Sequence, residues 1–300
     1  MHSAVQLRMG LVFLSILSSV GAGYRTDNFI VDAPTIELAR QVGQAAEHHR
    51  KEQALTWLGK ELPAWQEPCP ITVKITLGSP NGCTTFAYDR GKVSRQSMTL
   101  EGSTERILGS VLPHETTHLI FAHHFGQPVR RWADEGGAAL AEAPANRRRH
   151  DAVAREIANT PGRPIPLRRL LTLRDYPPDV TALYAQGYSL ARFLVDGRGG
   201  PTFMAFVAQG MQNNEWDAAV KAYYGYRSVE ELETVWLRDQ KINSETRSTK
   251  SETNPKLETP NPVAATRLSG LSTSNFRLAS DFAIRASRFP PTTAIRSSAE

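Results

Sequence analysis

The sequence predicts an α+β protein in which an N-terminal helix and a small, largely antiparallel sheet precede a mainly helical half. Three observations support this fold class. Apolar residues recur at helical spacing over residues 34–58, polar and apolar residues alternate within residues 71–102, and helical patterns fill the chain after Gly102. Since 40% of the 300 residues are hydrophobic, the chain can bury a sizeable core.

The first predicted helix covers residues 34–58 and ends before Gly59, a residue type that commonly closes a helix. Three predicted strands follow as "ITVKITL", "TTFAYD" and "VSRQSMTLEG", separated by turns that contain glycine. The second half contains a series of predicted helices separated by Pro and Gly. They cover residues 103–124, 131–143, 146–159, 179–195, 202–209, 215–223 and 228–241.

Both ends of the chain lie outside the predicted domain, residues 23–243. In residues 1–22, Arg8 precedes an apolar run that is followed by small residues, the pattern of a cleaved secretory signal peptide. The apolar run has about ten residues against the roughly 20 of a spanning helix, so no stable membrane span is expected after cleavage. Residues 244–300 are rich in Ser, Thr and Pro without periodicity, which predicts a disordered tail. The expected location is the periplasm, the cell envelope or the extracellular space.

The net charge of +5 does not indicate a nucleic-acid partner. Residues 244–300 contain eight basic and five acidic residues, a difference of +3, whereas residues 23–243 contain 26 basic and 25 acidic residues. Because the predicted domain is almost balanced in charge, the basic surface typical of nucleic-acid binding is not expected.

The chain has two cysteines, Cys69 and Cys83, on either side of a turn segment that contains Gly, Pro and Asn. If this turn joins two neighbouring strands, the cysteines come close together. Export to an oxidising compartment then favours a disulfide between them, with two buried thiols as the alternative.

The segment "HETTH" carries the chemistry. His114 and His118 stand four residues apart, so they share one face of a helix and can ligate the same zinc ion. Glu115 lies next to them and has the position of the general base that activates water. The spacing predicts one zinc ion per chain.

A catalytic zinc takes a third protein ligand, and two residues are candidates. His124 has the right distance from His118 for a motif that turns back after a glycine, but Phe121 stands where that glycine is needed. Glu135 follows a break in the helical pattern, and a helical hairpin can bring it back against the first helix. We therefore expect His114, His118 and Glu135 to hold the metal.

The segments "HETTH" and "RWADEGGA" together resemble the gluzincin metallopeptidases, and in particular the bacterial peptidase MA-like group, over most of residues 23–243. In these enzymes a glutamate in a W-x-x-E-G motif completes the zinc site. The resemblance implies that Tyr184, in "YAQG", stabilises the transition state, with Tyr188 one turn further as the alternative. The G-x-M-E-N motif that selects a free amino terminus is missing, since the chain has only "SMTLEG".

The sequence thus predicts an exported zinc peptidase in which Glu115 and Tyr184 are catalytic. The substrate is expected to be a peptide or protein, bound as an added strand near residues 97–100. The alternative prediction is an inactive binding or envelope-organising protein that keeps a zinc-stabilised peptidase fold.

Overall fold

The computed structural model describes residues 22–252. The predicted signal peptide, apart from Ala22, and the part of the predicted tail beyond Glu252 lie outside the described residues. Within residues 22–252, a five-stranded sheet and one long helix occupy the N-terminal part, and the remainder is mainly helical. The predicted order of a mixed N-terminal part followed by a helical half is confirmed at this level.

The sheet has the strand order β1-β2-β3-β5-β4. Its strands are β1 (Ala22–Arg25), β2 (Phe29–Ala33), β3 (Cys69–Ile75), β4 (Asn81–Asp89) and β5 (Lys92–Gly102). β2 and β3 are parallel, as are β3 and β5, whereas the two outer pairs are antiparallel.

The prediction of a largely antiparallel sheet is therefore wrong, for two physical reasons. The sequence pattern missed β1 and β2, which precede the long helix α1 (Ile36–Leu58). Because α1 crosses over between β2 and β3, these two strands run parallel. In addition, β4 and β5 form a hairpin through Arg90 and Gly91, both with positive φ, and β5 rather than β4 pairs with β3.

This strand order also overturns the predicted disulfide, and no disulfide joins Cys69 and Cys83. β5 lies between the two strands that carry them. Cys83 on β4 pairs with Thr99 on β5, and Thr99 in turn pairs with Thr72 on β3. Thr72 is three residues away from Cys69 along β3. Since successive side chains of a strand alternate between faces, the two thiols lie on opposite faces of the sheet.

The helices after the sheet fall close to their predicted positions. They are α2 (Thr104–Arg106), a π-helical turn (Ile107–Val111), α3 (Leu112–Phe125), α4 (Arg131–Leu140), α5 (Pro144–Asn159), α6 (Leu167–Thr172), α7 (Val180–Met211), α8 (Trp216–Tyr224) and α9 (Val229–Glu252). Two predicted helices merge into α7 across a kink at Gly199. α6 was not predicted, and α9 extends nine residues past Asn243 into the predicted tail. None of the helices within residues 22–252 is both long and apolar enough to cross a membrane.

Two hydrophobic cores lie on either side of α3. Leu112 and Leu119 belong to the core between the sheet and α1, whereas Ile120 and Phe121 belong to the core of the helical half. Because its apolar side chains are buried on both sides, α3 joins the two parts of the protein, as does α1, which contributes Val42 to one core and Trp57 to the other.

Candidate metal centre

The candidate metal centre is built on α3, which is buried along most of its length. The two residues inside the motif, Thr116 and Thr117, donate hydrogen bonds from their hydroxyls to backbone carbonyls one turn earlier, over 2.7 and 2.9 Å. Their polar atoms are thereby satisfied within the helix, which allows both side chains to be fully buried. The remaining motif residues, His114, Glu115 and His118, line a cavity beside the helix.

Three side-chain atoms converge in this cavity. Glu135, on α4, has its Oε2 atom 3.6 Å from Nε2 of His114 and 3.8 Å from Nε2 of His118. A tetrahedral zinc ion with bonds of about 2.0–2.1 Å separates two of its ligand atoms by about 3.3 Å. Oε2 of Glu135 therefore lies close to the required spacing from each histidine, and the three residues come from the two helices of the predicted hairpin.

Carboxylates on the outer side fix the orientation of both imidazole rings. Nδ1 of His114 lies 2.9 Å from Oε1 of Glu142, and Nδ1 of His118 lies 2.8 Å from Oδ1 of Asp134. When each Nδ1 donates its proton to a carboxylate, each Nε2 keeps a lone pair directed at Glu135. This arrangement is the usual outer support of histidines that bind a metal.

Glu115 contacts the same cluster from the other side. Its ligand atoms lie within 4.8 Å of those of His114 and His118, so these three residues could also hold a metal ion. However, Oε2 of Glu115 accepts a hydrogen bond of 2.6 Å from the hydroxyl of Thr84 on β4. A Cβ atom at Gly82, also on β4, would lie only 2.3 Å from Oε1 of Glu115. The carboxylate of Glu115 is therefore held against the strand, whereas that of Glu135 faces both imidazoles, which favours Glu135 as the third ligand.

The pKa values show how strongly these charges interact. Burial by itself lowers the pKa of both histidines, but Glu135 and Glu142 raise the pKa of His114 well above its ordinary value, and Asp134 raises that of His118 to about 9. Burial would raise the pKa of Glu135, yet the two histidines lower it to about 2. The negative charge around the two imidazoles thus favours a bound cation, whether protons or a divalent metal ion.

Two tyrosines lie close to Glu135. The hydroxyl of Tyr176, in the loop between α6 and α7, donates a hydrogen bond of 2.6 Å to Oε1 of Glu135. Tyr184, on α7, lines the cavity with its ring stacked on that of Tyr176, at 6.3 Å between centroids. Burial and the charge of Glu135 raise the pKa of Tyr184 well above its ordinary value, so its hydroxyl keeps its proton and can donate it in a hydrogen bond.

The alternative candidates lie elsewhere. Tyr188 is buried against the ring of His150, at 5.1 Å between centroids, and is not among the residues that line the cavity. His124 lies on the last turn of α3 and lines a separate surface groove with Trp57 and Lys60. The helix continues past Phe121 and ends only at Gly126, so His124 is carried away from the cluster.

The cavity has a volume of about 570 Å³ and extends along β4, an edge strand of the sheet. The predicted substrate position near residues 97–100 is wrong, because these residues lie in β5, which is paired on both sides. β4 presents the free edge, and its residues Gly82 and Thr84 line the cavity beside Glu115.

Sequence reasoning missed four residues of this site: Thr84, Asp134, Glu142 and Tyr176. Asp134 directly precedes Glu135 on α4 and therefore leaves the helix in a different direction. Its contact with the outer nitrogen of His118 follows from the same geometry and could have been found. Glu142, Thr84 and Tyr176 are far from the motif along the chain, and no local pattern indicates them.

A scan against protein-family models and a search of curated proteins both find no match to this chain.

Proposed function

We propose that this protein is a zinc-dependent peptidase of the gluzincin type, with His114, His118 and Glu135 as zinc ligands. One observation carries this proposal. Nε2 of each histidine faces the same carboxylate oxygen of Glu135, while each Nδ1 is held by a different carboxylate. Such doubly supported histidines are typical of a metal site rather than of a buried ion-pair cluster.

The residues around the centre support peptide hydrolysis as the reaction. Zinc bound there supplies Lewis-acid polarisation of the scissile carbonyl and lowers the pKa of water. Glu115 accepts the proton of the attacking water and delivers it to the leaving amine, since its buried carboxylate lies beside the histidines. Thr84 holds that carboxylate in place through its 2.6 Å hydrogen bond. Tyr184 donates a hydrogen bond to the oxygen that becomes negative in the transition state.

The position of β4 supports a peptide as the substrate. An extended peptide can pair with the free edge of β4 through backbone hydrogen bonds, which places one of its peptide bonds in front of Glu115. Gly82 lets the carboxylate of Glu115 lie directly against this strand, because a side chain at this position would collide with it. We further propose that the protein acts outside the cytoplasm, on the strength of the signal-peptide pattern in residues 1–22.

The test is cleavage of a broad peptide library by the zinc-loaded protein and by the variant Glu115→Gln. We expect the variant to keep one zinc ion per chain and to lose about 10²-fold to 10⁴-fold in kcat, the usual cost of removing a general base. Glu52→Gln, an exposed substitution on α1, is the matched control and should leave turnover unchanged.

Two results would contradict the proposal. If the zinc-loaded wild-type protein cleaves nothing in the library, the inactive binding protein becomes the better interpretation. If Glu115→Gln cleaves as fast as the wild-type protein, the activity arises elsewhere.

A further inference from the structure

The lining of the cavity includes two arginines that the proposed chemistry does not use. Arg106, at the end of α2, and Arg149, on α5, both line the cavity that contains His114 and Glu115. Both residues are exposed to solvent, so their guanidinium groups are accessible from the cavity mouth.

A hydrogen bond joins the two segments that carry these arginines. Ser110 lies four residues after Arg106 and four before His114, and its hydroxyl oxygen accepts a hydrogen bond of 3.3 Å from the backbone N–H of Ala143. Ala143 precedes α5, on which Arg149 lies. The contact therefore joins the start of α5 to the helical segment that carries Arg106, and the cavity runs between them.

The distance from the metal centre sets the part of a substrate that Arg106 can reach. Arg106 lies eight residues before His114 in an almost continuous helix, which corresponds to about 12 Å at roughly 1.5 Å per residue. An extended peptide advances about 3.3 Å per residue. A group bound by Arg106 is therefore about three to four residues away from the bond in front of Glu115.

The lining of the cavity also contains four carboxylates and a third arginine. The carboxylates have partners at the candidate metal centre: Glu115 with Thr84, Asp134 with His118, Glu135 with Tyr176 and the two histidines, and Glu142 with His114, His150 and Asn146. Arg131 lies over the ring of Tyr176, at 4.6 Å, and 4.0 Å from Asp134. Arg106 and Arg149 add two further positive charges to this lining, and such charges attract an anionic group of a substrate.

We propose that Arg106 and Arg149 form a subsite for a carboxylate of the peptide substrate, about three to four residues from the cleaved bond. The carboxylate belongs either to an Asp or Glu side chain or to the C-terminus of the peptide. Both offer two oxygens that accept hydrogen bonds from a guanidinium group. This subsite rests on the proposed peptidase function, because it assumes that a peptide occupies the cavity.

The test uses zinc-loaded Glu115→Gln protein, which should bind peptides without cleaving them. The probes are fluorescently labelled peptides that share one neutral sequence and are compared in pairs. Within each pair, one peptide has Glu and the other has Gln at a single position, three or four residues before or after the central bond. A further pair differs only in a C-terminal carboxylate or amide. The dissociation constants follow from fluorescence anisotropy, and the pair that shows a difference identifies the source of the carboxylate.

We expect the anionic member of one pair to bind about 3-fold to 10-fold more tightly, the range of one or two partly exposed charge contacts. The preference should shrink as the salt concentration rises. Adding Arg106→Gln or Arg149→Gln should remove most of it. Arg148→Gln, an exposed neighbour that does not line the cavity, is the matched control and should keep it.

Variants that keep the positive charge show whether the preference depends on that charge or on a structural role of the arginine. Arg106→Lys and Arg149→Lys should keep most of the preference if the charge is what matters. Equal binding within every pair overturns the subsite even if the wild-type protein is an active peptidase, and so does a failure of all peptides to bind. If charge-selective binding occurs but the wild-type protein cleaves nothing, the subsite stands and the proposed catalytic function fails.

Discussion

At the residue scale, two adjacent carboxylates on α4 have different roles because they leave the helix in different directions. Glu135 reaches the inner nitrogens of both histidines, whereas Asp134 reaches only the outer nitrogen of His118. A change of one position along the helix rotates a side chain by about 100°. In the proposed site, Glu135 would therefore bind the metal and Asp134 would orient one of its ligands.

Metal content should distinguish these roles. We expect Glu135→Ala to lose tightly bound zinc, because only the two histidines would remain as ligands. Asp134→Asn should still bind zinc, with an affinity about 10-fold to 100-fold lower. His124→Ala is the control and should keep one zinc ion per chain, measured by elemental analysis after dialysis. Loss of zinc from His124→Ala together with its retention in Glu135→Ala would reverse the assignment.

The two stacked tyrosines lead to a second prediction at this scale. Tyr176 donates to Glu135 and so supports the metal ligand, whereas Tyr184 is proposed to act on the substrate. Tyr184→Phe should lower kcat by about 10²-fold to 10³-fold with little change in zinc affinity. Tyr176→Phe should mainly weaken zinc binding.

These effects can be separated by steady-state kinetics and by competition with a zinc chelator. Tyr188→Phe is the control, since Tyr188 lies outside the cavity and should leave kcat unchanged. A large loss of kcat in Tyr188→Phe alone would move the oxyanion donor one turn along α7.

At the scale of the elements, the position of Glu135 depends on how closely α4 packs against α7. A Cβ atom at Gly136 would lie 2.2 Å from the carbonyl oxygen of Gly187, and one at Gly187 would lie 2.7 Å from the carbonyl oxygen of Trp132. Neither helix can carry a larger residue at this crossing, because the obstacle is backbone. The glycines that follow the two candidate site residues Glu135 and Tyr184 are therefore required by packing.

Gly136→Ala should consequently move α4 away from α7. We expect a loss of about 1–3 kcal/mol in the free energy of unfolding from overpacking, together with weaker zinc binding. Gly197→Ala on α7 is the matched control, since a Cβ atom there meets nothing within 4 Å. That substitution should be neutral or stabilise by up to about 1 kcal/mol. Equal stability of the two variants in chemical denaturation would show that the crossing tolerates a methyl group.

At the scale of the whole molecule, the metal centre lies where the sheet-containing part meets the helical half. β4 supplies Thr84 and Gly82 from one side, and α4 and α7 supply Glu135 and Tyr184 from the other. α3 contributes to the hydrophobic cores of both parts. The site is therefore complete only when both parts are folded and packed on α3.

A further prediction at this scale concerns residues 244–300, the predicted tail. In the described part of the chain, the last residues of the hydrophobic cores are Trp236 and Leu237 on α9. We expect truncation after Asn243 to leave the thermal unfolding midpoint and the zinc content unchanged, even though α9 extends to Glu252. Thermal unfolding followed by circular dichroism and elemental analysis will show this. Precipitation or loss of cooperative unfolding would mean that residues 244–300 stabilise the domain.

Local features of the sequence determined most of the helices and the residues of the candidate metal motif. The spacing of His114 and His118, the helix end at Gly126 and the return of Glu135 all depend on residues within about 20 positions, so periodicity and helix-ending residues are enough to predict them. The long helix α1 and the hairpin of β4 and β5 were predictable for the same reason. These properties depend on the geometry of single elements and on short connections between them.

Only the tertiary structure decided the order of the strands and the surroundings of the motif. Strand pairing depends on which apolar faces pack together across the chain, so the sequence pattern could not show that β5 separates Cys69 from Cys83. For the same reason it could not place Thr84, Glu142 or Tyr176 at the site, since a hydrogen bond between distant segments leaves no periodic signal. The chain thus encodes the proposed metal ligands locally, whereas the groups that contact those ligands and Glu115 are brought together by packing.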